Sequence, residues 1–210
     1  MGKLTIVFCS LLIILSCKNN AGDTSGSQKE ITSNKDYAAN LDKGRGILNN
    51  THSPHVKLRS IDMGDCKWTE GFWADKFKIT EEKMIPYMRT LLTGETGHAL
   101  NNFKIAAGLK EGQHKGMHWH DGDFYKFMEA AMYVYAQNGD EKLLKELDEY
   151  IDIIGKAQEE DGYLQTQIQL RDTLSRYENR KYHEMYNSGH LMTSACIHYR
   201  ITGQTNFLDI

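Results

Sequence analysis

Proline is nearly missing from this chain: of 210 residues only Pro54 and Pro86 are proline, so nothing after position 86 carries the strongest helix breaker. Cysteine is also sparse. Cys9 and Cys17 lie in an apolar leader and only Cys66 and Cys196 remain in the body, with no Cys-x-x-Cys, which excludes a zinc knuckle. Two thiols so far apart in sequence carry no pairing signal, and Cys196, beside Ser194, Ala195 and Ile197, reads as a small buried hydrophobe. No basic block occurs and the net charge is -3, which argues against nucleic acid as a partner. Neither a Gly-x-Ser-x-Gly elbow nor a phosphate-binding loop is present, so serine-esterase and nucleotide chemistry lack support. The apolar run is short as well: Leu4 to Leu15 is 12 residues, too few to span a bilayer as a helix.

That run, preceded by Lys3 and closed by Leu15-Ser16-Cys17, has the order of a bacterial lipoprotein signal over residues 1–17, with Cys17 as the acylated residue. Acylation of this kind supplies more than one chain, enough for stable attachment. The expected location is therefore outside the cytoplasm, on a membrane facing the periplasm or the outer surface. Residues 18–53 are rich in Asn, Ser, Gly, Asp and Lys without apolar periodicity. They read as a flexible tether with an r.m.s. reach of about 30–36 Å.

The body, residues 54–210, is read as helical after one short strand at 56–61, where Val56, Leu58 and Ser60 alternate with Lys57, Arg59 and Ile61. Trp68 to Trp73 form an aromatic turn expected to plug a helix end. A helix over 81–92 should bend near Pro86, and 93–117 should be a long loop with a short helix at 99–109. Phe124, Phe127, Met128, Ala131 and Tyr135 mark a helical face, with Asp121 or Asp123 as the cap. Leu143, Leu147, Tyr150, Ile151 and Ile154 mark the next helix, at 141–158. Residues 165–182 are polar and read as loop, a third helix spans 186–201, and a fourth begins before Ile210.

These helices repeat. A shift of 64 residues places Ala131 on Ala195, Tyr135 on Tyr199, Gly139 on Gly203 and Leu143 on Phe207. Repeats of this length imply stacked helical hairpins. A closed ring of six would need about 300–400 residues, so the chain reads as the N-terminal part of an all-α toroid.

Equivalent helix starts then share one rim, and their polar residues are the candidate carbohydrate contacts: His120, Asp121 and Asp123 in the first copy, His183, Glu184 and His190 in the second. The same residue types also serve as caps and loop bonds, and spacing does not choose between the roles. A binuclear His-x-His-x-Asp-His pattern fails at Gly122 and Asp123, and a zinc-protease pattern fails at Asn187. His118, His120 and Asp123 are metal-ligand types, but type alone assigns no metal, and none is assigned. A glycosidase needs two carboxyl groups; Asp121, Asp123, Asp161 and Glu184 qualify by type.

Three blocks resemble a known family. Asp121-Gly-Asp-Phe-Tyr-Lys-Phe-Met-Glu-Ala-Ala is similar to its Asp-Ser-Asp-x-x-Lys-hydrophobic-hydrophobic-Glu-Ala block. Ala157-Gln-x-x-Asp-Gly-Tyr-Leu-Gln-Thr is similar to Ala-Gln-x-x-Asp-Gly-Tyr-Leu-Asn-Thr, and His183-Glu-Met-Tyr-Asn-Ser-Gly-His to His-Glu-Leu-Tyr-x-x-Gly-His. The family is glycoside hydrolase family 127, the β-L-arabinofuranosidase-like enzymes, with family 146 a close relative. The resemblance covers about residues 56–210 and implies an (α/α)6-barrel exo-glycosidase acting on L-arabinofuranosides or related rare plant-polysaccharide sugars. It implies a cysteine nucleophile on a zinc–thiolate centre and a Glu acid/base, all C-terminal to the matched region. No cofactor is therefore expected within this chain, zinc being expected only in the full-length protein, and Cys66 and Cys196 do not occupy the motif. It also implies that His183 and His190 contact substrate. Gly122 stands in place of Ser, and Asn187 where many members carry Cys. The alternative is a non-catalytic carbohydrate-binding or assembly module built from a truncated barrel.

Overall fold

The computed structural model describes residues 53–58 and 60–210, with Leu48 and Asn50 before them. The leader, Cys17 and nearly all of the tether lie outside the described residues. Everything regular is helical. Helix α1 (Phe72–Ile79), a π-helical turn (Thr80–Met84) and α2 (Ile85–Thr93) form one continuous rod. Helices α3 (Ala99–Ala106), α4 (His120–Asn138), α5 (Glu141–Ala157), the short α6 (Thr166–Gln169) and α7 (Glu184–Thr202) follow.

The rod shows how Pro86 is accommodated. Without an N–H, Pro86 cannot bond the Glu82 carbonyl, and just before it the ladder widens so that the Ile85 N–H reaches the Thr80 carbonyl. The helix therefore runs through the proline and starts nine residues earlier than the sequence indicated, at Phe72 instead of Glu81.

α4 and α5 form an antiparallel hairpin. Gly139 takes the left-handed conformation (φ 69°), donating to the Tyr135 carbonyl at 2.7 Å, and Asp140 caps α5 by accepting from Lys142 N and Leu143 N. In the second copy Gly203 (φ 77°) bonds Tyr199 in the same way at 2.8 Å. The repeated ending thus holds in atomic detail. Asn187 lies against Gly122, and Ser194 Oγ donates to the Tyr125 carbonyl at 3.1 Å. Both contacts advance in the same sense along each helix, so α4 and α7 run parallel with their starts on one rim.

The core lies where α3, α4, α5 and α7 meet, around Phe103, Phe124, Met128, Met132, Leu147, Ile151, Ile154 and Ile197, all fully buried. Burying each such side chain contributes about 1.5–3 kcal/mol before the cost of ordering it. The face expected on α5 is the buried one. On α4 burial extends further, to Tyr125, Met132 and Val134, because α7 covers a second side of the helix.

Several expectations are corrected. Residues 56–58, 60 and 61 form no strand, since no second strand lies beside them among the described residues to receive their backbone bonds. Trp68, Phe72 and Trp73 plug nothing; each is at least half exposed, the first near Phe77 and the other two edge-to-face at the start of α1. Cys196 is exposed, on the side of α7 turned away from α4. The last residues form a turn and not yet a helix: Leu208 and Asp209 donate to the Thr205 carbonyl, Phe207 is buried, and Leu208 is exposed where its counterpart Leu144 is not. Residues 165–168, read as the start of a polar loop, are buried.

Candidate functional site

That buried polar segment builds the site. Asp121, in the first turn of α4, does not cap its own helix. Its carboxylate accepts from Thr166 N and Thr166 Oγ1, each at 2.7 Å, which fastens α6 beneath the rim. Burial raises the Asp121 pKa to about 6, and the two bonds from Thr166 pull against that rise. One residue earlier, Gln165 Nε2 donates to the carbonyls of His118 and Tyr182, both at 3.1 Å. Asn187 Nδ2 donates to the same His118 carbonyl at 3.1 Å and to Gln165 Oε1 at 2.8 Å. The loop before α4 and the loop before α7 are thereby drawn onto one buried amide pair.

What stands above this floor is a cluster of rings. The His118 ring lies 4.8 Å from that of His183 and 4.5 Å from that of Trp119, between centroids. Tyr186 meets His183 edge-on at 5.7 Å and His190 at 4.8 Å. His183 itself takes a left-handed conformation (φ 60°) at the start of α7, with Nδ1 2.6 Å from the Lys181 carbonyl. A non-glycine residue held there costs conformational energy and fixes the direction of its side chain. His190 Nδ1 lies 2.8 Å from Glu129, and Lys126 reaches Asp123 at 2.7 Å and the Tyr186 hydroxyl at 3.1 Å.

Burial favours the neutral imidazole at two of these positions, His118 and His120. Burial lowers the His118 pKa, with the neighbouring His183 adding to the effect, and burial likewise lowers that of His120. A neutral imidazole offers one donor and one acceptor, which matches a hydroxyl that both gives and takes a hydrogen bond. Flat rings beside such groups suit the apolar faces and hydroxylated edges of a sugar.

The residues chosen from sequence divide into two sets. His183 and His190 stand together on the rim. His120 and Asp123, on the first turn of α4, line a separate cleft of about 600 Å³ against the rod, with Met84, Met88 and Phe127 among its apolar residues and Thr80, Thr96 and Lys126 among its polar ones. Asp121 and Glu184 are underneath: Glu184 is buried, accepting from the Tyr163 hydroxyl and from Tyr177 N. Both oxygens are engaged, so neither residue is free to meet a ligand. Asp161 bonds Arg176. Sequence reasoning missed Trp119, Lys126, Glu129 and Tyr186; Lys126 and Glu129 were present in the quoted Asp121 block. Among the described residues no three of His, Cys, Asp and Glu converge to hold a metal, and Cys66 and Cys196 are both free thiols. The residues present therefore do not form a zinc–thiolate centre.

Comparison with known proteins gives the family of the chain. The model of the β-L-arabinofuranosidase GH127 catalytic domain matches residues 65–210, and the chain belongs to this family. A non-reducing end β-L-arabinofuranosidase of Bifidobacterium longum subsp. longum is 30% identical over 164 residues, covering 68% of this chain and 25% of the relative. The crystal structure of a GH127 β-L-arabinofuranosidase from Geobacillus stearothermophilus T6 superposes with a TM-score of 0.65 at 36% identity, over 68% of this chain and 24% of that one. A second solved GH127 β-arabinofuranosidase gives a TM-score of 0.62 at 31% identity, over 70% and 24% of the two chains. The chain thus spans about a quarter of the length of these relatives. Its helices are part of the (α/α)6 barrel of that family.

Proposed function

We propose that this chain supplies a sugar-binding portion of an exo-acting glycoside hydrolase directed at L-arabinofuranosides or related rare plant-polysaccharide sugars. The observation that carries the reading is the meeting of His118, Trp119, His183, Tyr186 and His190 at repeat-equivalent helix starts, in a chain of this family. The role within these residues is binding and orientation of sugar. Asp121 and Glu184 are committed to internal bonds and Asp123 is paired with Lys126, so no step of bond cleavage is assigned to them. By the same reading the 210-residue chain alone turns over no arabinofuranoside.

The test is hydrolysis of a chromogenic β-L-arabinofuranoside by the full-length protein and by its His183→Ala variant. The variant should lose kcat/KM by about 10-fold or more, equivalent to about 1.4 kcal/mol of lost transition-state stabilisation. An unchanged kcat/KM would remove the rim from the site.

The reading includes export and lipid attachment through Cys17, supported by the order of apolar run, small residue and cysteine. Cys17→Ala should abolish incorporation of labelled fatty acid; a variant that still takes up label would contradict it.

A further inference from the structure

Three positions in separate segments meet beneath the rim: Gly122 in the first turn of α4, Gln165 just before α6 and Asn187 in the first turn of α7. A Cβ added to Gly122 would lie 2.3 Å from Asn187 Oδ1, so no side chain fits at 122 while the asparagine is in place. That Oδ1 is buried and accepts no hydrogen bond, whereas the NH2 end of the same amide bonds Gln165 Oε1 and the His118 carbonyl. The Asn187 amide is thus oriented by its donors, and its oxygen fills the space above Gly122. Gln165 relays the connection to the Tyr182 carbonyl, one residue before His183.

The three fit one another: the absence of a side chain at Gly122 leaves room for the Asn187 amide, and Gln165 reaches far enough to accept from that amide at 2.8 Å. We propose that Gly122, Gln165 and Asn187 form one interdependent positioning unit, which holds the His118 and Tyr182 carbonyls and through them sets the separation of the His118 and His183 rings. Its bearing on sugar affinity rests on the function proposed above; the coupling among the three residues does not.

The test compares Gly122→Ser, Asn187→Cys and the double variant in the full-length protein. Gly122→Ser alone should lower Tm by about 5 °C through overpacking. Asn187→Cys alone should also lower it, because it leaves Gln165 Oε1 without its donor. The double variant should melt above Gly122→Ser, since the smaller thiol vacates the space the hydroxymethyl group needs. Losses that simply add would overturn the unit. Positioning is read from the histidine ring resonances in NMR spectra: those of His118 should move in each single variant and return toward the original position in the double. Gln165→Asn, which keeps the amide but shortens its reach, should shift His118 without loss of folding, and it serves if Gly122→Ser does not fold. Indifference of His118 to Gln165→Asn and to Asn187→Cys would contradict the positioning role. Coupled melting and moving resonances with unaltered affinity for a β-L-arabinofuranoside would uphold the unit and refute the sugar reading of the rim.

Discussion

Asp121 and Thr166 are tied twice, by backbone N–H and by hydroxyl, each at 2.7 Å, with the carboxyl group almost wholly buried. The pair fastens the segment after α5 to the first turn of α4 at a cost that depends on pH. The Asp121 pKa is raised from the model-peptide value of 3.8 to about 6 by burial. The unfolded chain therefore releases the proton more readily, and stability from this group is complete below pH 3.8 and falls as pH rises to about 6. The span corresponds to about 3 kcal/mol. Asp121→Asn keeps an acceptor for Thr166 N and removes the titration, so its stability relative to the parent should rise between pH 4 and 7 in urea unfolding.

His114 acts in the opposite direction over nearly the same range. It is buried, with Nδ1 3.0 Å from Arg171 Nη2, and burial lowers its pKa to about 4, the Arg171 charge adding to the effect. Its contribution is complete above the ordinary value of 6.5 and is lost as pH falls to about 4, again about 3 kcal/mol. The two residues offset each other between pH 4 and 6. His114→Gln removes a contribution that grows with pH, so the unfolding free energy of the variant relative to the parent should fall as pH rises from about 4 to 6.5.

Glu184 anchors the chain just after His183. Its oxygens accept from the Tyr163 hydroxyl and from the N–H of Tyr177, itself a left-handed residue at φ 59°. Glu184→Ala leaves two polar donors without a partner and should cost about 3 kcal/mol in chemical unfolding. Glu184→Gln, whose oxygen can accept from Tyr177 N while its NH2 donates to the Tyr163 hydroxyl, should cost clearly less. Equal losses would mean that packing, not hydrogen bonding, is what the carboxylate provides.

How much of this was legible beforehand follows from how each residue is used. The 64-residue shift, the two glycine-ended helices and the apolar face of α5 were written locally, in spacing and caps, and the structure keeps them. The repeat puts His183 and His190 on one rim, and the structure places both beside Tyr186 there. Asp121 and Glu184 were chosen as ligand contacts, yet their partners, Thr166, Tyr163 and Tyr177, lie in a stretch whose polarity read as exposure. Polar residues can be buried when every partner is internal, and no local pattern reports that. Tyr125 and Met132 were missed for a related reason: a helix covered on two sides has no single apolar stripe.

Titration of a protein carrying 13C-labelled histidine with a β-L-arabinofuranoside, followed by NMR, tests the central claim most directly. The account predicts saturable movement of the His118, His183 and His190 resonances together, while His198, buried against Asp148 and Phe207, stays fixed. Saturable binding that leaves all three rim histidines unmoved would contradict it.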